Sequence, residues 1–255
     1  MDLGLKGKSA IVTGVGSLSG IGFAIARALA EEGVKLFVTD RNADGLATAS
    51  QALRTMAPSV ENRVVDQTVI GEIRQAVAEA TARGVPPDIL INCAALTSNV
   101  GSLSKMAPES WQLEIETSLS GPYYWIREVL PAMKRAGWGR IINVSSTNSL
   151  TGRPGVPAYV AAKGGLNALT RQVARECTAQ GITCNTLLLG MFDTDIYEGE
   201  QFDQTAVADM QSHILTGTKG EPADVGKVAA FFCSDHARFI TGSALVIDGG
   251  MTINV

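Results

Sequence analysis

Seven short apolar runs recur along this chain, each bounded by turn residues and separated from the next by a stretch with helical periodicity. They are Ser9–Thr13, Val34–Thr39, Asn62–Val65, Ile89–Ile91, Arg140–Val144, Ile182–Leu187 and Ala244–Ile247. Near-continuous apolar runs of this kind read as strands covered on both faces. Between the first two, Ile21–Ala30 carries an apolar helical stripe that stops at Gly33. A strand that returns parallel to its predecessor needs a long, right-handed crossover. The alternation therefore predicts one α/β domain over residues 1–255, a doubly wound parallel sheet of seven strands with helices on both faces. Such sheets take their ligands in a crevice at the carboxyl ends of the strands.

Composition agrees with a single core and removes several function classes. Hydrophobic residues make up 45% of the chain and charged ones 18%, with no Pro/Ser-rich linker, charge block or internal repeat. A net charge of -4 and a pI near 5.3 weigh against nucleic acid, which needs a basic face. No segment approaches the roughly 18 apolar residues of a membrane span, and Met1–Lys6 lacks a secretory apolar region. A cytoplasmic protein without a membrane partner is expected. Cys93, Cys177, Cys184 and Cys233 form no CxxC pair and read as buried thiols in a reducing compartment. With His213 and His236 as the only histidines, no metal site is expected.

Candidate chemistry collects at strand ends. Thr13-Gly14-Val15-Gly16-Ser17-Leu18-Ser19-Gly20-Ile21-Gly22 joins the first strand to the first helix. Its glycines let backbone amides approach a phosphate, and the helix N-terminus offers unpaired N–H groups. Asp40, twenty-six residues after Gly14, closes the second strand. A carboxylate there can accept from both hydroxyls of a ribose and repels a 2'-phosphate. Arg41 could stack on an adenine or pair with a phosphate. Further on, Tyr159 and Lys163 are four apart, so a helix over 157–180 puts them on one face, and Ser146 stands thirteen residues before the tyrosine. A nearby ammonium favours phenolate over phenol, which equips a tyrosine for general acid/base work.

Taken together, the glycine-rich turn, Asn92-Cys93-Ala94-Ala95, Ser146, the YxxxK pair and Asp248-Gly249-Gly250 resemble the classical short-chain dehydrogenase/reductase family over nearly the whole chain. The resemblance implies a Rossmann-type fold, an NAD(P)-dependent enzyme acting on CH–OH groups, and a homotetramer. It implies Tyr159 as acid/base, Lys163 lowering its pKa and holding the nicotinamide ribose, and Ser146 bonding the substrate oxygen. Gly14, Ser19, Gly20 and Ile21 would meet the pyrophosphate, and Asp40 and Arg41 the adenosine. Asp66 and Gln67 would face the adenine, while Asn92 and Ala94 line the ribose, although Asn92 could equally serve as a bond between strands. Gly190 and Thr194 would hold the carboxamide.

Three departures from the family pattern stand out. Five residues separate Gly14 from Gly20-Ile21-Gly22 where the family has three, a length closer to the enoyl-carrier-protein reductases. That branch places six residues between its tyrosine and its lysine, and Leu166 stands at that lysine position in this chain. Leu189 replaces a proline before Gly190. Ser118 takes the place of an asparagine that helps hold a water linking the lysine to solvent, and is expected to serve the catalytic proton path.

The expected activity is hydride transfer between a secondary alcohol and its ketone with NAD in preference to NADP. The alcohol could be a polyol or sugar, cyclic, steroid-like or aromatic. Two other readings stay open: a 3-ketoacyl-carrier-protein-type reductase using NADP, and a catalytically weak dinucleotide-binding scaffold. Segments 96–106 and 147–156 should wall the substrate site, with Leu150, Val156 and Met191 as apolar contacts. Asp193, Asp195, Glu198, Glu200, Asp203 and Asp209 on the covering segment weigh mildly against a strongly anionic substrate. Trp111, Leu113, Ile115, Tyr123, Tyr124, Trp125 and Ile126, in an expected helix from Pro108 to Arg135, suggest subunit contacts.

Overall fold

The computed structural model describes residues 2–97, 101–195 and 204–254. The seven apolar runs become β1 (Ser9–Thr13), β2 (Lys35–Asp40), β3 (Val60–Val64), β4 (Ile89–Asn92), β5 (Gly139–Ser146), β6 (Ile182–Leu189) and β7 (Ala244–Ile247). They form one sheet in the order β3-β2-β1-β4-β5-β6-β7, and every neighbouring pair is parallel. Chain order reverses between β1 and β4, which opens a crevice above their carboxyl ends.

Strand periodicity divides the core into two layers. In β1, Ala10 and Val12 face one side of the sheet and Ile11 the other; in β2, Leu36 and Val38 oppose Phe37. Helices α1 (Ile21–Glu31) and α2 (Ala43–Leu53) cover the first face through Ile25, Leu29, Leu46 and Leu53. The opposite face takes α3 (Ile70–Ala82) through Ile73 and Ala76.

The expected helix over residues 108–135 is two helices, α4 (Pro108–Ile115) and α5 (Gly121–Ala136), joined by a π-type turn at Glu116–Ser120. Pro122 has no N–H to donate back along the helix, and the widened turn absorbs the mismatch. Trp125, Ile126 and Val129 of α5 are buried against the sheet, whereas Trp111, Leu113 and Tyr123 stand exposed.

A short helix α6 (Asn148–Thr151) precedes α7 (Pro157–Cys177), which ends close to expectation and passes into a tight turn at Thr178–Gln180. Beyond β6 come α8 (Gln204–Ser212) and α9 (Pro222–Cys233); Val225 and Ala229 of α9 return to the core beneath α1. Among the described residues no helix is long and apolar enough to cross a membrane.

Strand β5 runs on past Val144 to Ser146, because its polar residues are buried and bonded rather than solvated. Asn143 Nδ2 donates to Thr170 Oγ1 of α7 at 2.8 Å, and Thr186 Oγ1 of β6 donates to the same oxygen at 2.7 Å. Thr170 Oγ1 in turn donates to the Leu166 carbonyl at 2.9 Å. A satisfied buried network of this kind fixes α7 against two strands in one register. Buried Arg140, at the other end of β5, meets Asp235 at 2.7 Å and lies over the Trp138 ring, so its charge is a structural one.

Candidate active site

A cavity of about 580 Å³ opens at the carboxyl ends of the strands. Thr13 and Gly14 after β1, Asp40 of β2, Asp66 after β3, Cys93 after β4, Ser146 of β5 and Gly190 after β6 all line it. Strands of different chain order thus deliver residues to a single crevice.

At the glycine loop, backbone approach is set by the absence of side chains. Gly14 has φ of +75°, and a Cβ on it would lie 2.6 Å from the Ala94 amide nitrogen. A Cβ on Gly22 would collide with the Gly14 carbonyl oxygen. The α1 N-terminus therefore packs directly onto the loop, and Gly14, Gly20, Ile21 and Ala94 line the cavity. The two added residues sit in a turn over Ser17–Gly20, closed by Gly20 N–H donating to the Ser17 carbonyl at 3.0 Å.

Ser19, expected at the pyrophosphate, does not line the cavity. Its hydroxyl is 2.9 Å from that of Ser17, and it is Ser17 that lines the cavity and donates to Asp195 Oδ2 at 3.0 Å. The longer loop thus moved the accessible hydroxyl two residues earlier than the family spacing implied.

Asp40 and Arg41 line the same end. Asp40 accepts from Gly16 N–H and from Asn42 N–H, both at 2.8 Å, so its carboxylate is held at the loop while further lone pairs stay available. Asp66 also lines the cavity; its Oδ1 caps the following turn by accepting from the Thr68 amide and hydroxyl at 2.9 and 2.7 Å. Gln67 lines it too, but its amide is engaged elsewhere: Nε2 donates to the carbonyls of Ala94 at 3.1 Å and Thr117 at 2.6 Å. That side chain ties three segments of the wall together.

Asn92 is not among the cavity-lining residues and takes the second of its two expected roles, a bond between strands. It points into the sheet and donates from Nδ2 to Asn143 Oδ1 at 2.8 Å, joining the polar network under α7. The neighbouring Cys93 does line the cavity, yet burial pushes its thiol up to about 12, so it stays protonated and is no nucleophile.

Tyr159, Lys163 and Ser146 share the other end of the cavity. Lys163 is buried, with Nζ donating to the Val144 carbonyl at 2.7 Å and lying 5.5 Å from the centre of the Tyr159 ring. Burial lowers its pKa to about 8, since charge is harder to hold away from water. It remains mostly cationic at neutral pH. Ser146 Oγ accepts from the Asn148 amide at 3.2 Å, which aims its hydroxyl into the cavity. Gly190 and Thr194 line the wall opposite, and Leu189 ends β6 with its carbonyl accepting from the Thr147 amide at 3.0 Å.

Ser118, expected to serve the proton path, stands apart from the cavity surface. It is fully buried in the π-type turn and lines no part of the cavity. Its Oγ accepts from the Leu96 amide at 3.1 Å and faces the Leu96 carbonyl at 3.4 Å, anchoring the wall after β4. A serine is short enough to close this bond inside the widened turn.

Of the expected substrate walls, Leu96 and Val156 line the cavity, Met191 lines a small side recess, and Leu150 is exposed. Residues 98–100 of the first wall, and Glu198, Glu200 and Asp203 of the covering segment, lie outside the described residues. Asn148 and Arg153 line the cavity from the expected wall 147–156, and Ser17 lines it from the glycine loop, whereas Thr117 was not foreseen.

A family model described as enoyl-(acyl carrier protein) reductase matches residues 14–252. A 3-oxoacyl-(acyl-carrier-protein) reductase of Haemophilus influenzae is 33% identical over 98% of this chain and 100% of its own. A D-beta-hydroxybutyrate dehydrogenase of Rhizobium meliloti is 34% identical over 96% of this chain and 98% of its own. Among solved structures, a protein of Sinorhizobium meliloti 1021 provisionally named a short-chain alcohol dehydrogenase superposes with a TM-score of 0.94 at 30% identity, covering 100% of both chains. One of Agrobacterium tumefaciens provisionally named a gluconate dehydrogenase does so at 0.92 and 28% identity over 98% of each. The chain belongs to the short-chain dehydrogenase/reductase family. It is an NAD(P)-dependent oxidoreductase acting on CH–OH and keto groups.

Proposed function

We propose that this enzyme uses NAD in preference to NADP to interconvert a secondary alcohol and its ketone, with Tyr159 as acid/base. The observation that carries the reading is one cavity holding Tyr159, Ser146 and the buried Lys163 at one end and Asp40 with the glycine loop at the other. The residues fit a dinucleotide: side-chain-free backbone at Gly14 and Gly22 leaves room at the α1 N-terminus for a pyrophosphate, and Asp40 and Arg41 stand where an adenosine would lie. A bound nicotinamide dinucleotide would supply or accept the hydride.

The chain's own groups do the rest. Tyr159 takes the carbinol proton during oxidation and returns it during reduction, while Ser146 orients the substrate oxygen. Lys163 places a cation under the phenol, with its ammonium steadied by the Val144 carbonyl. Thr194 and Gly190 border the position of the carboxamide.

Asp40 supports NAD because a carboxylate repels a 2'-phosphate, and residues 14–22 contain no lysine or arginine to attract one. The second reading, a 3-oxoacyl-carrier-protein reductase using NADP, is favoured by the name of the Haemophilus influenzae relative and by Arg41 at the cavity wall. Initial rates on a panel of secondary alcohols and ketones, with NAD(H) and NADP(H) in parallel, separate the two. NAD(H) is expected to give kcat/KM at least about tenfold higher, a difference of about 1.4 kcal/mol. Preference for NADP(H), together with turnover of 3-oxoacyl thioesters alone, would install the second reading.

We also propose a homotetramer and a cytoplasmic setting. The exposed Trp111, Leu113 and Tyr123 on α4 and α5, and Phe239, Leu245, Val246 and Ile253 around the β7 edge, form apolar surfaces suited to subunit contact. Sedimentation velocity is expected to show a tetramer; a lone monomer at micromolar concentration would refute it. The four free thiols suit a reducing compartment.

A further inference from the structure

We propose that Arg153 sets the substrate class: a hydroxy acid, or the matching oxo acid, whose carboxylate pairs with the Arg153 guanidinium while its carbinol oxygen lies between Ser146 and Tyr159. This deepens the alcohol dehydrogenase reading and rests on it.

Arg153 lines both the main cavity and the side recess, and in both it shares the wall with Ser146 and Asn148. It therefore belongs to the end of the crevice that holds the reacting oxygen, opposite Asp40 and Arg41. The loop presenting it is stiff. Gly152 leaves α6 in a conformation that glycine favours, Pro154 keeps Arg153 extended, and Gly155 offers its carbonyl to the Gly101 amide at 2.8 Å.

No ion pair or hydrogen bond neutralises Arg153 among the described residues, although its side chain is partly buried. The more buried Arg140 meets Asp235, and the half-buried Arg63 meets Glu79, whereas Arg41, the other arginine lining the cavity, is exposed to solvent at the far end. The second cation at this end, Lys163, is committed beneath Tyr159 to the Val144 carbonyl. A guanidinium is charged at every working pH and presents paired N–H donors that match a carboxylate. An unpaired one, walling a half-enclosed cavity beside the acid/base, is a ready anion receptor.

The described carboxylates of the covering segment do not pair with it. Asp193 meets Lys219 at 3.5 Å, and Asp195 is taken by Ser17 at the glycine loop. Asp209 is exposed. The recess beside Arg153, lined also by Thr147, Gly190, Met191, Met210 and Met251, has about 20 Å³, room for a water rather than a carbon chain, so the substrate chain would lie in the main cavity.

The test uses the full-length enzyme and hydroxy acids of four to six carbons, each beside its own methyl ester, with Arg153→Gln and Arg153→Lys as variants. In the unmodified enzyme, kcat/KM is expected to favour acid over ester by about 10–100-fold, the range of a charge-assisted hydrogen bond. Arg153→Gln should bring that ratio to about one, chiefly through KM for the acid, and Arg153→Lys should restore part of it. A misfolded variant lowers acid and ester together and leaves the ratio unchanged, so Arg153→Lys and the ratio keep the outcome decisive. An acid-to-ester ratio near one in the unmodified enzyme, or one that survives Arg153→Gln in a variant with a native melting curve, overturns the proposal. Loss of turnover on esters and acids alike in every form would instead strike the redox reading. In that case calorimetric binding of oxo acids against their esters to the NAD-loaded protein still decides the role of Arg153: equal affinities overturn it, and an Arg153-dependent preference for the acid supports it.

Discussion

Tyr159→Phe is expected to lower kcat for alcohol oxidation and ketone reduction by about 10²–10⁴-fold, the usual contribution of a positioned general acid/base. The substitution removes one oxygen and keeps the ring, so packing of the half-buried side chain in α7 is preserved. Dinucleotide binding should weaken by no more than about tenfold, because a single neutral hydrogen bond contributes only about 0.5–1.5 kcal/mol. Fluorescence titration with NADH and steady-state rates on the same preparation measure the two effects together. Retention of more than about a tenth of the native rate would mean that the carbinol proton leaves by a route that bypasses the phenol.

What made this end of the site readable in advance was spacing within a single helix. Tyr159 and Lys163 need only α7 to bring them together, and Ser146 needs only that β5 and α7 pack side by side. The same holds for the sheet, since parallel strands buried on both faces leave an apolar run that no other element imitates over so short a length. Polar residues inside such strands break that signal. Ser145 and Ser146 lie past the apolar run Arg140–Val144, yet β5 continues through them, with Ser145 Oγ donating to the Lys163 carbonyl of α7 at 3.3 Å.

Side chains whose direction depends on a neighbouring segment were not readable. Asn92 occupies a strand end, and only the proximity of Asn143 turns it inward. Ser118 depended on where the break between α4 and α5 falls, and that break follows from a proline four residues later. Ser17 replaced Ser19 because the loop insertion closes as a turn. Arg153 lies six residues from Tyr159 in sequence but reaches the cavity through two prolines and two glycines, a path that periodicity does not describe.

Lys163→Met should separate electrostatics from scaffolding. Methionine is unbranched and nearly as long, so it can fill the buried track of the lysine stem. Without the ammonium beneath it, the Tyr159 phenol requires a higher pH to ionise, and oxidation at pH 7 is expected to fall by about 10²-fold or more. The residual rate should keep climbing with pH beyond the point at which the native enzyme levels off. Stability should move the other way. The lysine pKa of about 8 in the folded chain is below the roughly 10.4 of a solvated amine, so burying its charge penalises the native state. That penalty is complete below pH 8, fades as pH rises through 8, and is gone above the unfolded value. The variant should therefore melt no lower than the native protein at pH 7, apart from the loss of one bond to the Val144 carbonyl, and any advantage should shrink toward pH 10. Parallel melting curves and pH–rate profiles provide the readout. A variant that is stable, slow and displaced to alkaline pH identifies the ammonium as an electrostatic partner of the phenol; one that is unstable, with an unshifted profile, identifies it as a strut for α7.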